Sequence, residues 1–144
     1  FTNLAAFGVV SAIENATNQV DIVDYDGLYH TNPNMSLLMM MALFSLAGIP
    51  PLAGFFGKFF LFTAAAQNGY FWLVLIAVLN ATLSLYYYLM VVKAMFINKN
   101  NNPIARIENN IYTRISFIIC LIGIFVLGFY SDIFKFINSV AIGL

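Results

Sequence analysis

Charge is scarce in this chain. Lys, Arg, Asp and Glu make up 8% of its 144 residues, while hydrophobic residues make up 62%. Soluble domains carry roughly 25% charged residues. A fold this apolar would aggregate in water, so a lipid bilayer is the expected solvent. The 6 basic residues balance the 6 acidic ones, which argues against nucleic acid as a partner and against a basic tail. Cys120 is the lone cysteine. It can form no intrachain disulfide and reads as a small buried hydrophobe inside an apolar run. His30 is the lone histidine and lies in a polar stretch, where it reads as a solvated or capping residue. No Cys/His cluster is available to hold a metal. No run alternates with the period that a membrane β-barrel needs.

What the chain does contain is a set of apolar stretches separated by polar ones. They predict an all-α, polytopic membrane protein with about three transmembrane helices plus the end of a fourth. Residues 1–13, beginning FTNLAAFGVV, read as the end of a truncated transmembrane helix. They lack the initiator Met and basic n-region of a signal peptide, so the chain is expected to be a C-terminal fragment of a larger membrane protein. Residues 14–34 form a polar loop carrying Glu14, Asp21, Asp24 and Asp26 but no Lys or Arg. Residues 35–66 read as a broken transmembrane helix and 70–97 as an ordinary one, with the turn QNG between them. A basic loop follows at 98–114, then a C-terminal transmembrane helix at 115–136. A span needs about 20 apolar residues to cross a core of about 30 Å, and the last two helices meet this.

Lys93, Lys99, Arg106 and Arg114 lie in or beside the 98–114 loop, while the QNG turn has no basic residue. The positive-inside rule then places the long loop in the cytoplasm, or in the matrix of an organelle. The 14–34 loop falls on the same side, despite its own lack of Lys and Arg. The C-terminus, beside Asp132 and Lys135, falls on the other. Tyr70, Phe71 and Trp72 are expected in the outer aromatic belt.

The stretch at 48–58 reads GIPPLAGFFGK. A continuous helix over 35–66 would be about 48 Å long, too long for an upright span. Pro50 and Pro51 cannot donate backbone hydrogen bonds and clash with the preceding turn, and Pro51 pushes Pro50 out of the helical region. Gly48, Gly54 and Gly57 loosen the chain and permit close packing. Two half-helices joined by a non-helical link are expected. Counting back from Asn68 places Lys58 about 15 Å deep, near the midplane. Irregular backbone at that depth is tolerated only inside protein or beside water, and broken helices there are a recurring device of ion transporters. A charged lysine at the bilayer centre costs about 3 kcal/mol or more. The N-terminal end of the second half-helix, with its positive dipole, adds to that cost. Lys58 is therefore the candidate for a residue that gains and loses a proton. The plainer alternative is a lysine that snorkels or forms a static ion pair. No carboxylate of the chain is expected to reach it, since Glu14, Asp21, Asp24, Asp26, Glu108 and Asp132 fall in loops or near helix ends.

The residues SLAGIPPLAGFFGKFFLF at 45–62 resemble the signature of the antiporter-like membrane subunits of respiratory complex I, the NADH:quinone oxidoreductase. Within that group they are most similar to subunit N, called subunit 2 in mitochondria. YFWLVLIAVLNATLSLYYYLMVVKAMF at 70–96, LAAFGVV at 4–10 and the acidic loop ending in DGLYHTNP resemble neighbouring parts of the same subunit. The resemblance weakens after Asn98. It implies a fourteen-helix subunit, of which this chain would hold the last three helices and part of the one before. It also implies that 35–66 is the discontinuous helix of the second inverted repeat and that Lys58 is its proton-path lysine. The family's other pathway residues, a glutamate and further lysines, would lie outside the chain. Such subunits bind no cofactor themselves; NADH, flavin, iron–sulfur clusters and quinone are used elsewhere in the complex.

The expected function is thus a non-redox membrane subunit of a proton-pumping translocase, with other complex I membrane subunits, lipid and protons as partners. The overall match looks bacterial, so the bacterial inner membrane is the expected location, with the mitochondrial inner membrane as the alternative. The other readings are a subunit of a related cation/proton antiporter and a purely structural membrane subunit. Thr63, Asn80 and Ser84 are candidates for lining water near Lys58, with interhelical hydrogen bonding as the alternative. Asn80 and Ser84 share a helix face and Thr82 does not. Lys93 is a candidate for a proton exit, against simple snorkelling. Tyr86, Tyr87 and Tyr88 point in different directions and cannot form one site.

Overall fold

The computed structural model describes residues 1–100, 102–108 and 110–129. All regular structure among the described residues is helical. Helix α1 spans Thr2–Thr17, α2 Leu28–Thr31, α3 Pro33–Ala47, α4 Ala53–Gln67, α5 Phe71–Phe96 and α6 Ile111–Phe129. Helices α5 and α6 are long and apolar enough to cross a membrane, and α3 is a shorter apolar helix. The part of the expected 115–136 span beyond Phe129, including Asp132 and Lys135, lies outside the described residues, while α6 itself begins earlier, at Ile111.

Helix α3 is the centre of the packing. Pro33 opens it, where a missing N–H costs nothing. Met35, Leu38, Met39, Ala42 and Leu43 are buried along it, against Ala5, Ala6, Val9 and Ile13 of α1, Met95 of α5 and Ile124 of α6. The alanines let α1 and α3 backbones come close, as small residues do between membrane helices. Helix α4 buries no residue, and α4 and α5 turn Phe59, Leu61, Trp72, Leu79 and Leu83 outward. Such surfaces suit lipid or protein neighbours in a bilayer.

Residues 14–34 are less open than their composition suggests. Helix α1 continues through Glu14 and Asn15 to Thr17, and Asn18 closes it in a left-handed conformation. Asp21 and Asp24 form a reciprocal capping box around a 3₁₀ turn at Ile22–Tyr25. Tyr25 and Leu28 are buried. Burial first, then the carboxylates of Asp24 and Glu14, push the Tyr25 phenol above its ordinary value. The folded loop therefore favours the neutral phenol. Its contribution is intact below about pH 10 and fades as pH rises through the raised value.

This segment and the 98–110 loop are joined at one end of the bundle. The Gly27 N–H donates to Ala94 O at 3.0 Å, and Asn98 Nδ2 donates to Asp26 Oδ1 at 2.8 Å. Gly27 has φ 73, a left-handed conformation that suits glycine. Asn32, only 6% exposed, donates from Nδ2 to Ala105 O at 3.1 Å and accepts the Ile107 N–H on Oδ1 at 2.9 Å. One side-chain amide thus replaces a strand of backbone pairing between segments far apart in sequence. Replacing it removes two part-buried hydrogen bonds, to the Ala105 carbonyl and from the Ile107 N–H, at about 0.5–1.5 kcal/mol each. Asn32→Ala is expected to speed limited proteolysis within 98–110 while the helices remain protected. Unchanged cleavage in that loop would show that the clamp contributes nothing.

Candidate functional site

The last turn of any helix leaves carbonyls without intrahelical partners, and lipid cannot supply them. At the end of α3 the chain turns on Gly48, which has φ 86. That left-handed step brings the Gly48 N–H to Ser45 O at 3.0 Å and the Ile49 N–H to Phe44 O at 3.0 Å. These are the paired bonds of a Schellman closure. They satisfy Phe44 and Ser45 and leave the carbonyls of Leu46 and Ala47 open.

Lys58 takes both. Its Nζ donates to Leu46 O at 2.8 Å and to Ala47 O at 3.0 Å. Among the described residues it has no carboxylate partner. The sequence suggested a lysine opposed by the positive start of its own half-helix. Instead its long side chain carries the ammonium back to the negative end of the preceding one, which favours a cation there. The charge partner is backbone, a possibility that composition and spacing do not display.

The link between the halves runs through Ile49 to Leu52, with a cis bond between Pro50 and Pro51. The Leu52 N–H donates to Ile49 O at 3.1 Å. Bare backbone makes the fit around the link. A Cβ on Gly54 would coincide with the Ser45 carbonyl oxygen, and one on Gly128 of α6 would strike the Pro51 carbonyl. A Cβ on Gly48 would sit 3.1 Å from Lys58 Cδ. Gly57, by contrast, meets nothing within 4 Å, so close packing does not explain it here.

The other candidates are dispersed. Thr63 Oγ1 donates to Phe59 O at 2.8 Å and Ser84 Oγ to Asn80 O at 2.9 Å, each within its own helix. Thr82 does the same toward Val78. Such back-bonding uses the hydroxyl's donor within its own helix and leaves its oxygen able to accept. Asn80 is on an exposed face of α5. None of these side chains is hydrogen-bonded to Lys58. Lys93 lies in the last turn of α5, beside a cleft of about 400 Å³ that it shares with Asp26, Tyr86 and Asn98.

The family described as "NADH:quinone oxidoreductase/Mrp antiporter, TM" matches residues 1–84, which include α1, the break and Lys58. The chain belongs to this membrane family. It is 52% identical over 145 residues to NADH-quinone oxidoreductase subunit N of Azobacteroides pseudotrichonymphae, covering 99% of this chain and 30% of that protein. It is 52% identical to subunit N of Phocaeicola vulgatus, covering 97% of this chain and 30% of that protein. It is 41% identical to the chloroplastic NAD(P)H-quinone oxidoreductase subunit 2 of Zygnema circumcarinatum, covering 81% of this chain and 23% of that protein. The chain thus spans about 30% of the length of the first two relatives.

Residue-level reading missed Thr2, Ser45 and Gly128, all of which touch the break or its immediate support. The only sign of Ser45 was a lone hydroxyl three residues before a glycine that ends an apolar run. Gly48→Ala is expected to destabilise the protein by roughly 1 kcal/mol of backbone strain plus the crowding of Lys58, seen as a lower thermal midpoint of the purified protein in detergent. Gly54→Ala is expected to lower it further, because its Cβ meets backbone rather than a flexible side chain. A larger loss at Gly57 than at Gly54 would contradict this account of the break.

Proposed function

We propose that this chain is part of the membrane subunit N of an NADH:quinone oxidoreductase and takes part in proton translocation through Lys58. The observation that carries this reading is the pair of hydrogen bonds from Lys58 Nζ to the open carbonyls of α3. An ammonium has three donors. Two are fixed on Leu46 and Ala47, so one N–H remains to face outward. Loss of that proton leaves an amine whose two N–H groups still match the two carbonyls and whose lone pair points where the proton was. Both protonation states therefore fit one geometry, and the exchangeable proton has a defined direction. The acceptor is water or a side chain of the rest of the subunit or of a neighbouring one.

Depth supports the reading. Helix α3 rises about 22 Å from the loop end, and the chain from Lys58 to Asn68 rises about 15 Å, half of a bilayer core. In this reading the subunit sits in a bacterial plasma membrane among the other membrane subunits of the complex. NADH, flavin, iron–sulfur clusters and quinone act elsewhere, and no redox step is assigned to this segment. A cation/proton antiporter is the second reading, favoured by the family description that names both kinds of protein. A sodium-dependent growth defect without loss of quinone-coupled activity would support it.

Lys58→Met and Lys58→Arg separate a switching residue from a static one. The methionine removes the charge and also orphans two carbonyls. The arginine keeps donors for both carbonyls but holds its proton permanently. Proton pumping by the assembled complex in inverted vesicles is expected to fall by about tenfold or more in both, with assembly retained in Lys58→Arg. Pumping at the parent rate in Lys58→Arg would mean that Lys58 is a fixed cation.

A further inference from the structure

We infer that Ser45 and Thr2 form a positioning hydroxyl pair that fixes the start of α4 against the end of α3 and thereby sets the place of the Lys58 amine. This rests on the proposed role of Lys58. Helix α4 opens without a cap of its own, because Leu52, the residue before it, offers no side-chain acceptor. The Gly54 N–H, one of the donors left open at that end, instead donates to Ser45 Oγ at 3.2 Å. The cap is supplied by the other half-helix. It can reach because Gly54 has no side chain where the two backbones meet.

Ser45 is 0% exposed, so its own O–H needs an acceptor. The hydroxyl of Thr2 in α1 lies 3.1 Å away. The Gly54 N–H donates to Ser45 Oγ, and the Ser45 and Thr2 hydroxyls share a hydrogen bond in which either can be the donor. Ser45 also accepts the Gly48 N–H on its carbonyl at 3.0 Å. A single residue therefore takes part in closing α3, capping α4 and linking both to α1. Lys58 leaves α4 just beyond this cap, and its acceptors, Leu46 and Ala47, follow Ser45 directly. Any shift of Gly54 relative to Ser45 changes the distance those hydrogen bonds must span.

Among the described residues, no other charged side chain is hydrogen-bonded at the break. Glu14 is roughly 18 Å along α1 from Thr2, and Arg114 is roughly 21 Å along α6 from Gly128. Lys93 is in the last turn of α5, next to the 14–34 segment. The titratable tyrosines of α5, Tyr86, Tyr87 and Tyr88, make no hydrogen bond to Lys58.

Ser45→Ala, Thr2→Val and Thr2→Ser in the assembled complex test this. Hydrogen exchange over 52–58 reports the cap, and the pH profile of pumping reports the placement of Lys58. Ser45→Ala is expected to speed exchange at least tenfold and to displace the pH profile by about one unit, with KM for NADH and quinone unchanged. Thr2→Val, which removes the hydroxyl and keeps the shape, is expected to move both in the same direction by less. Thr2→Ser is expected to match the parent. If exchange in Ser45→Ala equals the parent, the cap is overturned. If exchange rises but the pH profile of Ser45→Ala and Thr2→Val stays put, the positioning role is overturned, even with Lys58→Arg inactive. Parent-like pumping in Lys58→Arg instead overturns the reading of Lys58, and leaves the exchange result to judge the cap alone.

Discussion

Two carbonyl oxygens at the end of α3 govern this structure. A helix that stops inside a bilayer exposes acceptors that lipid cannot satisfy, each at a cost of several kcal/mol. The turn on Gly48 closes the first two and leaves Leu46 and Ala47. Lys58 closes those. The lysine and the helix end compensate one another: a charge that apolar surroundings disfavour meets acceptors that those surroundings cannot match. Either one alone would be a defect at that position.

The rest of the packing follows from holding that contact. Glycines stand where backbones must approach. Gly54 brings α4 against Ser45, and Gly128 brings α6 against the proline link. Helix α3, the most enclosed element, is sheathed by α1, α5 and α6 along its buried face. At the loop end Asn32 ties the two polar segments together through opposite ends of one amide. The molecule is thus closed with hydrogen bonds at the loop end and around the break, and with apolar contacts between.

The sequence made some of this legible. Long apolar runs announced helices, and the composition announced a bilayer. The motif at 45–62 was specific enough to point to the family that the comparisons then showed. Boundaries were less legible. Glu14, Asn15 and Thr17 read as loop because they are polar, yet they continue α1 at an exposed end where polarity costs nothing. The polar segment after it folds through a capping box whose partners are three residues apart, a signal present in DIVD at 21–24 but easily read as simple acidity. The site was half legible. Lys58 stood out because charge is rare here. Its partners did not, because carbonyls carry no letter in a sequence. Hydroxyls such as Thr63 and Ser84 looked available and are turned back onto their own helices.

The separation between the ionic end and the break has an electrical consequence. Glu14, Lys93 and Arg114 stand at one end of the described helices, while Lys58 meets helix-end carbonyls and, among the described residues, no countercharge. A unit charge brought within about 10 Å of it, at an effective dielectric near 20, would act with roughly 1.7 kcal/mol. That is more than a tenfold change in any equilibrium that alters the charge of Lys58. With no ion pair to Lys58 among the described residues, such a field would act on its amine without a local charge to offset it.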